Sequence, residues 1–419
     1  MPERPSGGPH IVVLSSLFPS QRQPGAGLFI RERMFRVGQR LPLAVVAPTP
    51  WFPFQDHIRR WWPNFRPGAP RYEQQQGFDV WFPRFFSFPG AFKRLDGWLM
   101  ALGAFARVRA LHRAGRLHVL DAHFAYPDGY AAAMLGRWFK VPVTITLRGT
   151  EERHARDPVL GPLMATALNR ASRIFAVSES LRRIAIAMGQ APDRVKVIGN
   201  GVDLGRFRPI DKVAARAALG LPEGADIMVS VGGLCERKGF HRVMEILPQL
   251  LQSRPNLHYV IVGGPSPEGD WTERLRQQAS DPLMQDRVHF TGPIAADGLP
   301  SVLSAADIFV LATRNEGWAN VFLEAMACGL PVVTTNVGGN SEVVAHGELG
   351  RIVPFGDSAM LGKAILQALR QQWDRGAIRA YAEANTWECR VDILEAEFVA
   401  LSHGGAHTAR QVNASATEH

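Results

Sequence analysis

Short apolar runs alternate along the chain with longer stretches in which apolar residues recur every three or four positions. The first pattern is that of buried strands, the second that of amphipathic helices. In the first half the runs predict strands at 11–14, 43–46, 119–122, 143–147, 174–177 and 195–198, with helices at 97–112 and 159–171. In the second half strands fall at 227–231, 259–262, 288–291, 308–311 and 332–335. Helices there fall at 242–252, 271–280, 299–305, 320–328 and 359–371. Strands alternating with helices imply βαβ units and parallel sheets. The pattern predicts an α/β protein of two Rossmann-like halves, 1–205 and 206–385, joined through 201–222. Ligands of such sheets sit at the carboxyl ends of the strands, so two facing halves would hold a site in the cleft between them. A last helix, 386–403, is expected to pack back on the first half, and the small, polar remainder 404–419 to be disordered.

One segment breaks the alternation. Between Trp51 and Trp98 stand 15 aromatic residues in 48 positions, mixed with prolines, Arg and Lys and densest at Trp51–Phe54 and at Arg59-Arg60-Trp61-Trp62. An insertion of this length, 50–98, is too long for a plain loop.

The length of 419 residues suits two domains better than one. With 46% hydrophobic and 20% charged residues, the composition excludes a mostly disordered chain. Charge changes the picture more. The net +9 conceals a division: residues 1–205 carry 28 Lys and Arg against 14 Asp and Glu, and residues 206–419 carry 19 against 24. The basic half suits nucleic acid, an anionic membrane or a phosphorylated substrate, and charge alone does not choose among them. Cys235, Cys328 and Cys389 are too few and too scattered for a disulfide framework or a zinc knuckle, and they fit a reducing compartment. The apolar run at 10–18 lacks the basic flank and cleavage pattern of a signal peptide and reads as a first strand. No stretch reaches the roughly 18 consecutive apolar residues of a membrane span.

The chemistry concentrates at Glu316-Gly317-Trp318-Ala319-Asn320-Val321-Phe322-Leu323-Glu324. The strand at 308–311 runs into a loop, and a helix begins near Asn320, a favoured N-cap residue. Gly329 and Pro331 end that helix. Glu316 lies in the loop and Glu324 one turn into the helix, so both can point to one cleft with the helix N-terminus between them. A helix N-terminus attracts phosphate. Flanking carboxylates would repel it, but they suit hydroxyl groups on either side: a sugar at one end and a ribose at the other. The bland alternative, two surface glutamates at an ordinary helix start, is disfavoured by the glycines and the strand–loop–helix context.

With this segment the chain resembles family 4 of the retaining, nucleotide-sugar-dependent glycosyltransferases, which have the GT-B fold; the resemblance covers about residues 10–400. The Glu-x7-Glu pair is that family's signature. It implies that Glu316 binds hydroxyls of the transferred sugar and that Glu324 binds the ribose. It also implies that Gly317 and the backbone N–H groups of Ala319, Asn320 and Val321 meet the distal phosphate and the sugar.

A second segment, Gly232-Gly233-Leu234-Cys235-Glu236-Arg237-Lys238-Gly239, follows a strand. A cation at the mouth of a glycine turn suits a departing diphosphate, on which negative charge builds. The family carries Arg where this chain has Gly233, and Lys at the position of Lys238. The resemblance therefore transfers the leaving-group role to Lys238 and leaves Arg237 as the candidate for the missing arginine contact.

In the first half, Pro24-Gly25-Ala26-Gly27-Leu28 follows the first strand. It is not a dinucleotide fingerprint, because Ile30 stands where the third glycine belongs. The resemblance places Gly25 and Gly27 beside the transferred sugar and the acceptor. It also makes His123, at a strand's carboxyl end, a hydrogen-bond partner of the sugar. Arg148 stands where the family often has His. It either faces an anionic acceptor or the phosphates, or is a buried arginine paired with Glu151 or Asp157.

The resemblance implies retention of anomeric configuration. A double displacement needs a carboxylate nucleophile, and Glu316 and Glu324 are both assigned to hydroxyl groups. The expected reaction is therefore on one face, with the leaving phosphate helping to deprotonate the acceptor. No Asp-x-Asp pair suits a metal–diphosphate bridge, Glu268-Gly269-Asp270 being the nearest, so no metal or other cofactor is expected.

Aromatic rings mixed with Arg suit a membrane interface, a locally packed subdomain, or nucleic-acid stacking. Beside a sugar transferase the membrane reading is preferred and nucleic acid is not expected. The chain reads as a cytoplasmic enzyme, peripheral at the inner face of the membrane. It would take a UDP- or GDP-sugar as donor and a lipid-linked or envelope glycan as acceptor. The alternatives are a non-catalytic nucleotide-sugar or glycan-binding protein and a nucleotide-sugar epimerase on the same fold.

Overall fold

The computed structural model describes residues 7–61, 68–266 and 268–415. Trp62, at the end of the basic aromatic run, lies outside them, as does the tail end 416–419. The chain divides into two compact units, Met1–Asn200 with Arg390–His419, and Gly201–Cys389. The divisions fall at 200/201 and 389/390, against 205/206 and 385/386 expected from the sequence.

The first unit holds β1 (Ile11–Leu14), β2 (Leu43–Val46), β3 (Thr49–Trp51), β4 (Tyr72–Gln75), β5 (Phe78–Trp81), β6 (Arg84–Phe86), β7 (Val119–His123), β8 (Val143–Leu147), β9 (Arg173–Ala176) and β10 (Val195–Val197). Eight of them form one sheet in the order β10-β9-β8-β7-β1-β2-β5-β4, and β3 pairs with β6 apart from it. The sheet is parallel except at β4–β5. These last two strands come from the aromatic insertion. A two-residue turn at Gln76 and Gly77, both at positive φ, joins them as a hairpin. β5 has the alternation of a half-buried strand, with Phe78 and Val80 inward. β4 reads Tyr-Glu-Gln-Gln and has no apolar pattern, so only its pairing makes it a strand.

The last helix, Trp387–Ser415, enters this unit's core. Val391, Leu394 and Phe398 pack in one cluster with Ile11, Val13 and Val45. Glu397 pairs with Arg173 at 2.9 Å and Lys196 at 3.0 Å, which ties the helix to the β9–β10 edge. The helix spans Trp387–Ser415.

The second unit holds β11 (Asp226–Val231), β12 (Leu257–Val262), β13 (Val288–Gly292), β14 (Ile308–Leu311), β15 (Val332–Thr335) and β16 (Gly350–Val353). All are parallel, in the order β13-β12-β11-β14-β15-β16. Side chains alternate between two buried faces. Ile227, Val229, Phe309 and Leu311 enter one core. Met228, Tyr259, Ile308 and Val310 enter the other. Burial on both faces explains why most of these strands read as largely apolar runs rather than as alternating ones. β16 reads Gly-Arg-Ile-Val and is too short and polar to be seen that way.

Topology places the chemistry. In the second unit β11 is flanked by β12 on one side and β14 on the other. In the first unit β1 is flanked by β2 and β7. The chain reverses direction across the sheet at these points, and the loops at the strands' carboxyl ends diverge to leave a crevice. The loops after β11 and β14, and those after β1 and β7, are the ones that carry the motifs.

Candidate functional site

In the second unit two loops meet. The loop after β11 ends in a single tight turn, Glu236–Lys238, before the helix Phe240–Ser253. The loop after β14 carries Glu316, which is 8% exposed. Lys238 Nζ donates to Glu316 Oε1 at 2.6 Å, and Arg237 Nη1 donates to the same oxygen at 3.0 Å. Thr313 Oγ1 donates to it at 3.2 Å. Burial pushes the Glu316 carboxyl up, but Lys238 and Arg237 more than offset this and hold it below the ordinary carboxylate value. Glu316 is therefore ionised at neutral pH and able to accept further hydrogen bonds from hydroxyl groups.

Arg237 is held from both sides. Its Nε and Nη2 donate to Glu268 at 2.5 and 2.8 Å, and its Nη1 also donates to the Asn315 carbonyl at 2.7 Å. Burial works against its charge, and the Glu268 and Glu316 carboxylates raise its pKa above the usual guanidinium value. Gly233, in the same loop, faces Ser266. A Cβ there would come 2.8 Å from Ser266 Cβ, so the direction a longer side chain would take is already filled. The cation beside Lys238 thus comes from four positions further along the loop.

The helix after this loop is Asn320–Ala327. Its N-cap is Ala319, in extended conformation, and no side chain caps it. This corrects the expectation that Asn320 takes that place: Asn320 is the first helical residue. Within that turn the Phe322 N–H donates to the Ala319 carbonyl at 3.1 Å. Gly317, Asn320, Val321 and Glu324 are half-buried, and Ala319 is buried. Glu324 lies one turn into the helix and, with burial as the larger cause, helps push the Cys328 thiol up to about 12. The loop after β15 closes on the site from the other side: the Gly339 N–H donates to the Glu316 carbonyl at 3.2 Å.

The first unit carries a buried polar network. His123 is fully buried. Its Nδ1 lies 3.0 Å from Arg148 Nη2 and 3.3 Å from Arg148 Nε. A guanidinium has no acceptor, so Nδ1 is the unprotonated nitrogen and the proton sits on Nε2. Nε2 faces Asp121 Oδ2 at 3.2 Å, out of line for a good hydrogen bond. Burial, with Arg148 assisting against Asp121, brings the imidazole down to about 4, so it is neutral. In this arrangement both ring nitrogens face groups of the chain itself.

Arg148 Nη1 also donates to Asn200 Oδ1 at 2.9 Å, and its guanidinium lies over the Phe29 ring. It does not pair with the Glu151 or Asp157 carboxylate in the way the sequence allowed. Glu151 instead accepts the backbone N–H groups of Ala125, Arg148 and Gly149 at 3.1, 3.0 and 2.7 Å. Gly27 stands at φ 67, and a Cβ there would lie 2.4 Å from the Leu17 carbonyl oxygen, so the position excludes any side chain. Gly25 is exposed with open space around it, and geometry places no such demand on it.

Sequence reasoning missed Asp128, Glu268 and Arg33, whose fully buried guanidinium donates from Nη1 to the Ile198 carbonyl at 3.0 Å. The spacing Asp121-x-His123 puts both side chains on one face of a strand and could have pointed to the network. Asp128 has no such local signal. Its carboxylate accepts the Ser16 backbone N–H and, at 3.0 Å, the Ser16 hydroxyl, joining the loops after β1 and β7. Burial raises its pKa from 3.8 to about 7, against the Ser16 hydrogen bonds. Between these values the folded chain keeps a proton that the unfolded chain has lost. This group's contribution to stability is full below pH 3.8 and is lost as pH rises through about 7. Asp128→Asn should remove that component. Denaturant unfolding of both proteins at several pH values checks it, and parallel stability curves would refute the assignment.

Residues 61–206 match Glycosyltransferase Family 4, and residues 211–385 match Glycosyl transferases group 1. The chain is 34% identical over 310 residues to a D-inositol 3-phosphate glycosyltransferase of Acidothermus cellulolyticus, covering 69% of this chain and 68% of that protein. It is 29% identical over 339 residues to a Bacillus subtilis glycosyltransferase named for teichuronic acid biosynthesis, TuaC, covering 80% and 82%. Among solved structures it is similar to Anabaena HepE in complex with UDP, with a TM-score of 0.69, 21% identity, and coverage of 96% of this chain and 100% of that one. The two Rossmann-like units, the Glu-x7-Glu segment after β14 and these matches lead to one assignment: the chain belongs to the group 1, family 4 glycosyltransferases of the GT-B fold.

Proposed function

We propose that this glycosyltransferase moves a hexose from a nucleotide-sugar, a UDP- or GDP-hexose, to a glycan acceptor with retention of configuration. The observation that carries the reading is the convergence of Lys238 and Arg237 on one oxygen of the ionised, buried Glu316, at the switch point of the second unit. A donor diphosphate arriving there meets two cations and the start of the helix Asn320–Ala327. As the bond to the anomeric carbon breaks, charge builds on the diphosphate, and a cation held in place before the reaction stabilises it most. Glu316 would accept hydrogen bonds from sugar hydroxyls, and Glu324 would bind the ribose. Gly317 and the N–H groups of Ala319, Asn320 and Val321 would face the distal phosphate and sugar. Arg237 would take the place of the arginine absent at Gly233. His123 and Arg148 would shape the acceptor side through their mutual bond, with Gly25 and Gly27 in the loop beside it.

Neither Glu316 nor Glu324 is available as a covalent nucleophile in this assignment. The reaction would run on one face, the leaving phosphate oxygen taking the acceptor's proton. Lys238 and Arg237 would supply the charge that a metal supplies elsewhere, so no metal is needed. Inositol phosphate and teichuronic acid appear in the relatives' names, and the basic first half suits an anionic acceptor of that sort. We place the enzyme at the cytoplasmic face of a membrane, extending a lipid-linked or envelope glycan.

The test needs no acceptor beyond water. A thermal-shift screen of UDP-, GDP- and ADP-hexoses identifies the donor. NMR then follows its slow hydrolysis, with and without EDTA. The first hexose released should keep the donor's anomeric configuration, at the same rate in chelator. An inverted first product would overturn retention, loss of the reaction in EDTA would overturn the metal-free assignment, and an epimerised donor without release would make the protein an epimerase.

A further inference from the structure

The aromatic insertion divides in the folded chain. Phe78, Phe82 and Phe85 are core residues. Others are left outside, and they line up. On the helix Asp96–Arg113 the buried positions are Gly97, Met100, Ala101, Ala104, Val108 and Leu111. The opposite face starts at Leu95 and continues through Trp98 and Leu102, which are 47% and 46% exposed. Spacings of three and four residues keep these on one stripe. Phe92 and Phe88 extend it at the N-terminal end, with rings 5.5 Å apart. Phe105 extends it at the other end, edge-on to the exposed Trp138 at 5.7 Å. Isolated exposed apolar residues need no explanation, but a continuous stripe does.

Charge says what covers it. Arg94, Arg109 and Arg113 flank the stripe in exposed positions, and Arg137 and Lys140 are exposed on the neighbouring helix and its end. From Lys93 to Arg116, and from Tyr130 to Lys140, the sole carboxylate is Asp96, which is buried and paired with Lys93 at 3.1 Å. A rim of one sign around large aromatic rings fits an anionic bilayer, where rings sit at headgroup depth and cations meet lipid phosphates. Among the described residues no helix is long and apolar enough to cross a membrane, so contact here would be peripheral.

We propose that this stripe, from Phe92 through Leu95, Trp98 and Leu102 to Trp138, docks the chain on an anionic lipid surface. The stripe adjoins the acceptor side. The Tyr126 hydroxyl, in the loop after β7, donates to the Lys93 carbonyl at 2.6 Å and accepts the Gly97 N–H at 3.3 Å. Docking would therefore set the loop after β7 next to the headgroups. The docking stands on these surface residues, and only its service to a lipid-linked acceptor rests on the function proposed above.

Vesicle flotation of the full chain tests it. Phosphatidylcholine vesicles carrying phosphatidylglycerol should float the protein, those of phosphatidylcholine alone should not, and high salt should release it. The double variant Trp98→Ser/Leu102→Gln, checked for an unchanged melting temperature, should weaken partitioning about tenfold or more, as should Arg94→Gln/Arg109→Gln. Leu283→Ser, at an exposed apolar position of the second unit, should float as the parent does. Absence of flotation, or flotation unaffected by both double variants, overturns the proposal. So does a concentration-dependent dimer abolished by Trp98→Ser/Leu102→Gln in a chain that binds no vesicles, which would make the stripe a self-association surface. Donor hydrolysis measured without lipid separates this outcome from failure of the transferase reading.

Discussion

Lys238→Ala should lower kcat by about two to three orders of magnitude while changing donor KM little, the range found when one preorganised donor to a developing negative charge is removed. The side chain does little for the fold. Without it Glu316 keeps Arg237 at 3.0 Å and Thr313 at 3.2 Å on the same oxygen, so the carboxylate stays paired. In the proposed reaction, what disappears is a cation already in place when the diphosphate departs. An interaction made only in the transition state lowers kcat and kcat/KM together. Glu324→Ala should behave in the opposite way, raising KM for the donor by about tenfold, as loss of a charge-assisted hydrogen bond would, with kcat close to that of the parent. Steady-state kinetics on the donor selected by thermal shift would separate the two. An unchanged kcat in Lys238→Ala would remove the leaving-group role, and a failure of both variants to alter either parameter would remove the donor site.

Gly338→Ala should damage both stability and activity. Gly338 stands at φ +52, and a Cβ there would lie 1.8 Å from the Glu316 carbonyl oxygen and 2.9 Å from its carbonyl carbon. Neither atom belongs to a flexible side chain, so the loops after β14 and β15 must part. Backbone strain and the displaced contact together should cost about 3 kcal/mol or more, which for a unit of this size lowers the melting temperature by about 6–12 °C. Activity should fall further than the folded fraction, because the displaced backbone is that of Glu316. Gly356→Ala is the matched control: φ is +87 there, but nothing lies within 4 Å of the added carbon. It should cost about 1 kcal/mol of backbone strain and leave kcat alone. Equal losses of activity in the two variants, measured where both are folded, would show that the contact with Glu316 does not matter.

The second unit was the more legible half. Its strands β11, β12, β14 and β15 are mostly apolar because both faces of the sheet are covered, and a short apolar run needs no tertiary knowledge to be seen. Lys238 and Glu316 were legible because each stands a few residues beyond such a run. The first unit hid more. β4 has no apolar pattern and exists through its pairing with β5. The aromatic insertion gave one uniform signal to the eye, yet Phe85 is buried and Phe92 exposed. Composition cannot separate the two, since both are Phe within one short segment.

The sequence by itself determined the alternation of strand and helix, the two Rossmann-like units, and the Glu316–Glu324 and Lys238 segments, because these rest on neighbours a few positions apart. Only the tertiary structure decided which partner each charge has. Arg237 reaches Glu316 and Glu268 across the fold, His123 is locked neutral between Arg148 and Asp121, and Asp128 closes on Ser16. Burial and pairing of polar groups depend on contacts between distant segments, and the same residue types in the same order would be ordinary surface charges if the loops closed differently.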